Sequence, residues 1–122
     1  MEMELTLPRT QHFDRIAYVD GACGPPNPGG PGGWGVFLQI EGAEPIMRSG
    51  HLPKTPNMTN NVAEYHAALA AVTLCHQDGF KGHLLIRADS KLVVEQMKGN
   101  WSVKQGAYVD TYQRLKNLVN QV

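Results

Sequence analysis

The sequence predicts an α/β fold in which a mixed β-sheet packs against helices. Residues 14–20 and 34–40 are apolar segments of strand length, and the second alternates with period 2. A helical segment then precedes a third apolar stretch, residues 83–88. A helix between two strands favours parallel pairing. We therefore expect a single domain over residues 1–122, with antiparallel and parallel strands in one sheet.

The N-terminal half predicts an antiparallel meander of three strands. Residues 1–12 are polar and contain a proline, which indicates a loose lead-in before the strand at residues 14–20. Two more strands, over residues 34–40 and about 44–51, flank a tight reversal at residues 41–43. The segment between the first two strands is rich in proline and glycine. It lacks the spacing of a phosphate-binding loop, so we interpret it as a turn.

The rest of the chain predicts helices around one strand. Asn61 and Glu64 have the spacing of a capping box, so the first helix is expected to begin near Asn61 and to end at Gly79. Shorter helices are expected over residues 90–97 and about 107–120. Small or apolar residues recur on one face of the first helix, which allows close approach to a sheet: Ala63, Ala67, Ala70 and Leu74.

Composition sets limits on compartment and partners. The formal net charge is +0, but nine acids face six bases up to Asp89, and five bases face two acids from Ser90 onward. The basic C-terminal part suits contact with phosphates, or simply a solvated helical face. Cys23 and Cys75 do not make a disulfide framework. With no signal-like or membrane-spanning run, we expect a cytoplasmic protein without a membrane partner.

Three carboxylates predict a divalent metal site. Asp20 and Asp89 each end an apolar strand, and Glu64 lies in the first turn of the helix between them. If the two strands are parallel neighbours, both aspartates emerge at the sheet edge where ligands bind. Acids that converge there need a cation, and oxygen ligands without His or Cys select Mg²⁺ or Mn²⁺. Asp20 also shares a face with Ile16 and Tyr18, where a carboxylate is costly unless it is paired.

Each acid also has a purely structural interpretation. Glu64 alone would serve as the partner in a capping box. Asp20 alone would start a turn, and Asp89 alone would cap the helix that follows it. The sequence pattern of the three acids leaves both interpretations open, although two strand-end positions favour a shared site.

Three segments, in order, resemble the motifs of the ribonuclease H type 1 family. They are Tyr-Val-Asp20-Gly-Ala with the later Asn27-Pro-Gly and Gly-Gly-Trp-Gly, then Asn60-Asn61-Val-Ala-Glu64-Tyr, and finally Ala-Asp89-Ser-Lys91. The resemblance covers roughly residues 14–120 and is closest to the archaeal and short bacterial branch. It implies an RNase H-like fold, with helices packed on a three-strand meander plus a parallel strand.

The resemblance also implies a function. It implies an endonuclease that hydrolyses the RNA strand of RNA–DNA hybrids with two Mg²⁺ (or Mn²⁺) ions. Asp20 would contact both metals, and Glu64 and Asp89 would complete the first metal site. Amide side chains both donate and accept, which suits recognition of a 2′-hydroxyl. The implied substrate contacts are Asn27, Asn60, Asn61 and Lys91.

The chain departs from the family pattern at its C-terminal side. The family fold continues with another strand and a helix that brings a fourth carboxylate, and no residue of this sequence matches them. Three interpretations stay open. The chain is an enzyme that works on three acids, a catalytically weak or silent hybrid-binding module, or a fragment. A fragment would be completed by a partner chain or a second copy at an unpaired sheet edge.

Overall fold

One mixed sheet with helices on one side forms the protein, seen in a computed structural model that describes residues 2–4, 14–80, 82–103 and 108–119. The strands are β1 (Glu2–Glu4), β2 (Arg15–Cys23), β3 (Gly32–Ile40), β4 (Ile46–Leu52) and β5 (Leu84–Ala88). The helices are α1 (Asn60–Gln77), α2 (Lys91–Met97) and α3 (Val109–Val119). The strand order across the sheet is β1-β5-β2-β3-β4.

The predicted topology is confirmed. Strands β2, β3 and β4 form the antiparallel meander, and β5 pairs parallel with β2 after the α1 crossover. The register places Val19 opposite Ala88 and Asp20 opposite Gly35. Because Asp89 directly follows β5, this register sets it beside Asp20 at the carboxyl ends of two neighbouring strands.

The predicted N-terminal lead-in is wrong for residues 2–4, which form β1 and pair antiparallel with β5. The remainder of that prediction, residues 5–12, lies outside the described residues. The edge of the sheet next to β5 is therefore covered, contrary to the unpaired edge that the sequence indicated. The signal for a strand was present, because apolar and polar residues alternate from Met1 to Leu7.

The two faces of the sheet have different environments. Ala17, Val19 and Leu38 are buried in a core formed with the helices. On the opposite face, Tyr18 is 36% exposed and Met47 is 68% exposed. Asp20 projects to this open face and is exposed, so water can solvate it. The expected cost of burying this carboxylate is therefore absent.

The start of α1 differs from the predicted capping box. The N-cap is Thr59 rather than Asn61, and its Oγ1 accepts a hydrogen bond from the Val62 N–H at 3.2 Å. The helix thus begins one residue before Asn61, and Glu64 lies beyond its first turn. The Glu64 carboxylate accepts its hydrogen bond from another element, as shown below. Its role as a capping partner is therefore wrong.

The two later helices pack against α1. Ser90, rather than Asp89, is the N-cap of α2, and its Oγ accepts from the Val93 N–H at 3.3 Å. The Tyr65 hydroxyl on α1 donates to Gln96 Oε1 on α2 at 2.6 Å. The terminal residues of the predicted 107–120 helix lie outside the described part. Among the described helices, none has the length and apolar character to cross a bilayer.

Candidate active site

The two aspartates lie side by side on the open face of the sheet. Parallel pairing of β2 and β5 brings their ends together, and both aspartates are exposed. They line a groove of about 770 Å³. Other side chains on this open-face groove are Tyr18, Phe37, Met47, Arg48, Ser49 and Arg87. The strand register thus brings Asp20 and Asp89 together at one end of the sheet, as the sequence predicted.

Glu64 is held differently, because it is buried. Its side chain is only 8% exposed, and Oε1 accepts a hydrogen bond from the Gly21 N–H at 3.0 Å. Its second oxygen, Oε2, is buried and faces no hydrogen-bond donor within the described residues. A buried acceptor without a partner is costly, so this oxygen is a candidate ligand atom for a cation.

Gly21 makes this position of Glu64 attainable. A Cβ added at Gly21 would overlap the backbone of Ala63 and Glu64. Only glycine therefore lets the first turns of α1 press against β2 at the residue after Asp20. Sequence reasoning missed this contact. A glycine inside a strand is the signal that could have found it, since such a glycine often marks a close backbone approach.

The electrostatics of the site centre on Glu64. Burial is the main cause that raises the pKa of Glu64 from 4.5 to about 7, while the Gly21 N–H opposes the rise. The negative charges of Asp20 and Asp89 raise the pKa further. The side chain of Asp20 also favours the protonated form of Glu64, because a carboxyl group that keeps its proton can donate it to a neighbouring carboxylate.

The three acids share one electrostatic environment without forming a closed ligand cage. In the part of the chain that the structure describes, no three His, Cys, Asp or Glu side chains converge closely enough to hold a metal ion. The donor set nevertheless fits a hard divalent cation, since it offers carboxylate oxygens and an unpartnered buried acceptor. The assignment of Asp20, Glu64 and Asp89 as metal ligands stays a prediction.

The predicted substrate residues lie around the start of α1 and of α2. Asn60 and Asn61 are exposed in the first turn of α1, and Asn60 Oδ1 accepts from the Cys23 N–H at 2.7 Å. Lys91 is exposed at the start of α2, and its Nζ lies 5.6 Å from the ring centroid of Trp101. Asn60 and Asn61 therefore lie in the helix that carries Glu64, and Lys91 lies two residues after Asp89.

Asn27 is exposed in the turn between β2 and β3. The Gly24 N–H donates to Pro31 O at 2.7 Å, which closes this turn on itself. The Gly29 N–H donates to Met58 O at 2.8 Å, which ties the turn to the segment before α1. The loop of Asn27 is thereby fixed beside the helix start that carries the other two asparagines.

The sequence did not predict a cluster of aromatic and amide side chains that connects the three helices. Gln96 Nε2 donates to Ser102 O at 3.1 Å and contacts the Tyr108 hydroxyl at 3.2 Å. The ring of Tyr65 stacks on Tyr108 and meets Tyr112 edge-on. This cluster fixes α1, which carries Glu64, against α2, which follows Asp89. Aromatic residues at helical spacing indicate a core, but they do not reveal such cross-helix bonds.

Acids at the ends of two parallel strands, with a buried glutamate on the crossover helix, define an α/β protein with an acidic site at one end of its sheet. Comparison with known proteins is consistent with this class. The RNase H family model matches residues 13–122. The chain belongs to the RNase H family.

Similar proteins include curated and solved examples. A Ribonuclease H of Prochlorococcus marinus (strain NATL1A) is 37% identical over 91 residues, which are 72% of this chain and 53% of that protein. The chain thus spans about half the length of that relative. The N-terminal RNase H domain of Rv2228c from Mycobacterium tuberculosis has a TM-score of 0.75 at 27% identity, over 90% of this chain and 76% of that chain. LC11-RNase H1 in complex with an RNA/DNA hybrid has a TM-score of 0.75 at 28% identity, over 88% and 77%.

Proposed function

We propose that this chain is a divalent-metal-dependent endonuclease that hydrolyses the RNA strand of RNA–DNA hybrids. Its family and its curated relatives named Ribonuclease H support this proposal. The similar fold of LC11-RNase H1, which was solved with an RNA/DNA hybrid, supports the same substrate class. One observation carries the proposal for this chain: Oε2 of Glu64 is buried without a partner among the described residues, and the pKa of Glu64 is raised first by burial and then by the charges of Asp20 and Asp89.

The proposed metal ligands are Asp20, Glu64 and Asp89, and the proposed ion is Mg²⁺ or Mn²⁺. When bound, such ions supply an activated water and stabilise the departing oxygen of the phosphodiester. The chain's own contribution is orientation. Gly21 fixes one oxygen of Glu64 and leaves the other as a ligand atom, while the two exposed aspartates can adjust their side chains from the open face.

The proposed substrate contacts are Asn27, Asn60, Asn61 and Lys91. Asn60 already uses its amide oxygen to hold the Cys23 N–H, so its NH₂ group is the part that suits a hydroxyl acceptor. Lys91 follows Asp89 by two residues and places a positive charge near the site, where it suits a phosphate. These residues would bind and orient the hybrid rather than take part in the chemistry.

The test is cleavage of a hybrid labelled on its RNA strand, in Mg²⁺ and in Mn²⁺. The parent protein should cut the RNA strand, and Asp20→Asn, Glu64→Gln and Asp89→Asn should each lower the rate on the order of 100-fold or more, since even outer partners of a metal site cost 10–100-fold. Asp78→Asn is a matched control, because Asp78 pairs with Arg15 at 2.9 Å in another part of the fold. Equal activity of the three site variants and this control would reject the proposed site.

The same assay separates the enzyme from a silent binding module. Binding of the hybrid without cleavage in either metal would favour the module. Asn61→Ala tests the substrate contacts, because Asn61 is exposed, and we expect a raised KM with little change in kcat. Asn60→Ala should affect both binding and stability, since it also removes the acceptor for Cys23.

A further inference from the structure

The segment after α2 turns back along that helix and places Trp101 beside Lys91. Gly99 has a φ of 83°, in the left-handed region, which lets the chain reverse at the end of the helix. The N–H groups of Asn100 and Trp101 both donate to the carbonyl oxygen of Glu95, at 2.9 and 3.2 Å. The Nζ of Lys91 lies 5.6 Å from the ring centroid of Trp101, so the end of the turn contacts the first residue of the helix.

One buried side chain fixes the end of this turn. Gln96 is 2% exposed, and its Nε2 donates to Ser102 O at 3.1 Å and to the Tyr108 hydroxyl at 3.2 Å. Its Oε1 accepts from the Tyr65 hydroxyl at 2.6 Å. Because a carbonyl oxygen only accepts, the NH₂ end of the amide must face Ser102, and the Tyr65 hydroxyl must be a donor. The residue that follows Trp101 is therefore attached to the core through Gln96.

We infer that Trp101 is a positioning residue for Lys91, and that Gln96 acts through Trp101. A lysine side chain is long and flexible, so binding a phosphate with it costs conformational entropy. A ring that holds the ammonium before the substrate arrives lowers this cost. Because the ring attracts the charge rather than accepting a conventional hydrogen bond, the N–H donors of the ammonium remain available for phosphate oxygens. The inference rests on the proposed role of Lys91 as a substrate contact.

A double-mutant cycle in hybrid binding tests the step from Trp101 to Lys91. Trp101→Leu removes the ring and keeps an apolar side chain, Lys91→Met removes the charge and keeps most of the stem, and a third protein carries both changes. The Kd of each full-length chain for a fluorescein-labelled RNA–DNA hybrid is measured in a chelator, which prevents metal-dependent cleavage. In the parent background, Trp101→Leu should raise Kd about threefold. In the Lys91→Met background it should leave Kd unchanged, because the ring then has no ammonium to hold.

The salt dependence of Kd separates the two roles. Lys91→Met should reduce the slope of log Kd against log salt by about 0.9, as expected for the loss of one phosphate contact. Trp101→Leu should leave the slope unchanged, since the charge of Lys91 is still present. A general loss of fold stability would not divide the two variants in this way.

Gln96→Met tests the step from the core to the turn. The new side chain has a similar volume but cannot donate to Ser102 O, so we expect faster hydrogen exchange of the Trp101 amide. Kd should rise by about as much as in Trp101→Leu. Tyr108→Phe is the matched control, because it removes one acceptor of the Gln96 amide and keeps the bond to Ser102. It should match the parent in the exchange of the Trp101 amide and in Kd.

The outcomes are distinct. If Trp101→Leu weakens binding equally in both backgrounds, the positioning role is wrong, because the ring then acts independently of Lys91. Faster exchange at Trp101 in Gln96→Met with a parent-like Kd would overturn the role of Gln96. A parent that binds hybrid but does not cleave it with Mg²⁺ or Mn²⁺ would contradict the proposed endonuclease and leave this inference standing. Absence of hybrid binding by the parent would overturn both.

Discussion

The two aspartates and the glutamate of the candidate site are held in opposite ways. Asp20 and Asp89 are exposed, and strand register alone brings them together. Glu64 is buried, and its position depends on α1 pressing against β2 at Gly21. The side chains of the exposed aspartates therefore contribute little to the stability of the fold, whereas the position of the buried glutamate depends on that stability. Substitution of Glu64, or of the residues that hold it, should change folding and chemistry together, whereas substitution of either aspartate itself should change chemistry alone.

The largest effect should come from Gly21→Ala. The new Cβ would overlap the backbone of Ala63 and Glu64, and backbone atoms cannot move aside as a flexible side chain can. We expect a loss of unfolding free energy of about 3 kcal/mol, at the upper end of overpacking effects, measured by urea denaturation. Hybrid cleavage should fall with it, because Glu64 loses both its position and its bond from Gly21.

Gly35→Ala is the matched control for that variant. Gly35 lies opposite Asp20 in the β2–β3 ladder, yet no atom lies within 4 Å of the place that its Cβ would occupy. Its stability should stay within about 0.5 kcal/mol of the parent, as for an ordinary surface substitution. Similar losses for the two alanines would show that the approach of α1 to β2 is not what Gly21 provides.

The pH dependence of stability should isolate Glu64 from the aspartates. With divalent ions removed by a chelator, folded Glu64 keeps its proton up to about pH 7, whereas in the unfolded chain it loses the proton near pH 4.5. Between these values the unfolded state binds fewer protons, so stability falls as pH rises, by about 3 kcal/mol in total. Above pH 7 this loss is complete.

Glu64→Gln should remove that slope. The amide is neutral at every pH and its oxygen can still accept from Gly21, so the metal-free variant should be more stable than the parent at pH 8 and similar at pH 4.5. Added Mg²⁺ should stabilise the parent but not the variant, since only the parent retains the proposed ligand. Stability curves that run parallel for parent and variant across this pH range would contradict the raised pKa of the buried Glu64.

The sequence allowed the aspartates to be predicted better than the glutamate's surroundings. Each aspartate follows an apolar strand, and the helix crossover predicts parallel pairing, so their meeting follows from local patterns. The partner of Glu64 comes from a distant segment, and the capping-box spacing with Asn61 pointed to a local role instead. Local spacing cannot reveal a bond whose donor belongs to another element.

The same reason explains the missed strand β1. A three-residue strand has no stability of its own, and it exists because β5 offers it an edge. The outward direction of Asp20 was also misjudged, since period 2 shows which residues share a face but not which face the helices cover. Both errors concern tertiary surroundings, which the local pattern of a segment does not show.

The smallest expected effects come from the N-caps of α1 and α2, and they test whether the glutamate and the aspartates are held independently. Thr59 caps α1, in which Glu64 lies, and Ser90 caps α2, which begins after Asp89. Each accepts one hydrogen bond from the first turn of its helix, so Thr59→Ala and Ser90→Ala should each cost about 1 kcal/mol. Thermal or urea unfolding measures this loss, and Thr59→Ser and Ser90→Thr should restore most of it.

The two cap variants should differ in their effect on the buried acid. Fraying the start of α1 admits water to Glu64, and since burial is the main cause of its raised pKa, the fall in stability between pH 4.5 and 7 should become smaller in Thr59→Ala. Ser90→Ala should leave that pH dependence unchanged, because Asp89 is held by β5 and not by α2. An equal reduction in both variants would mean that the helices loosen together through the Tyr65–Gln96 bond, and the glutamate and the aspartates would then not be held independently.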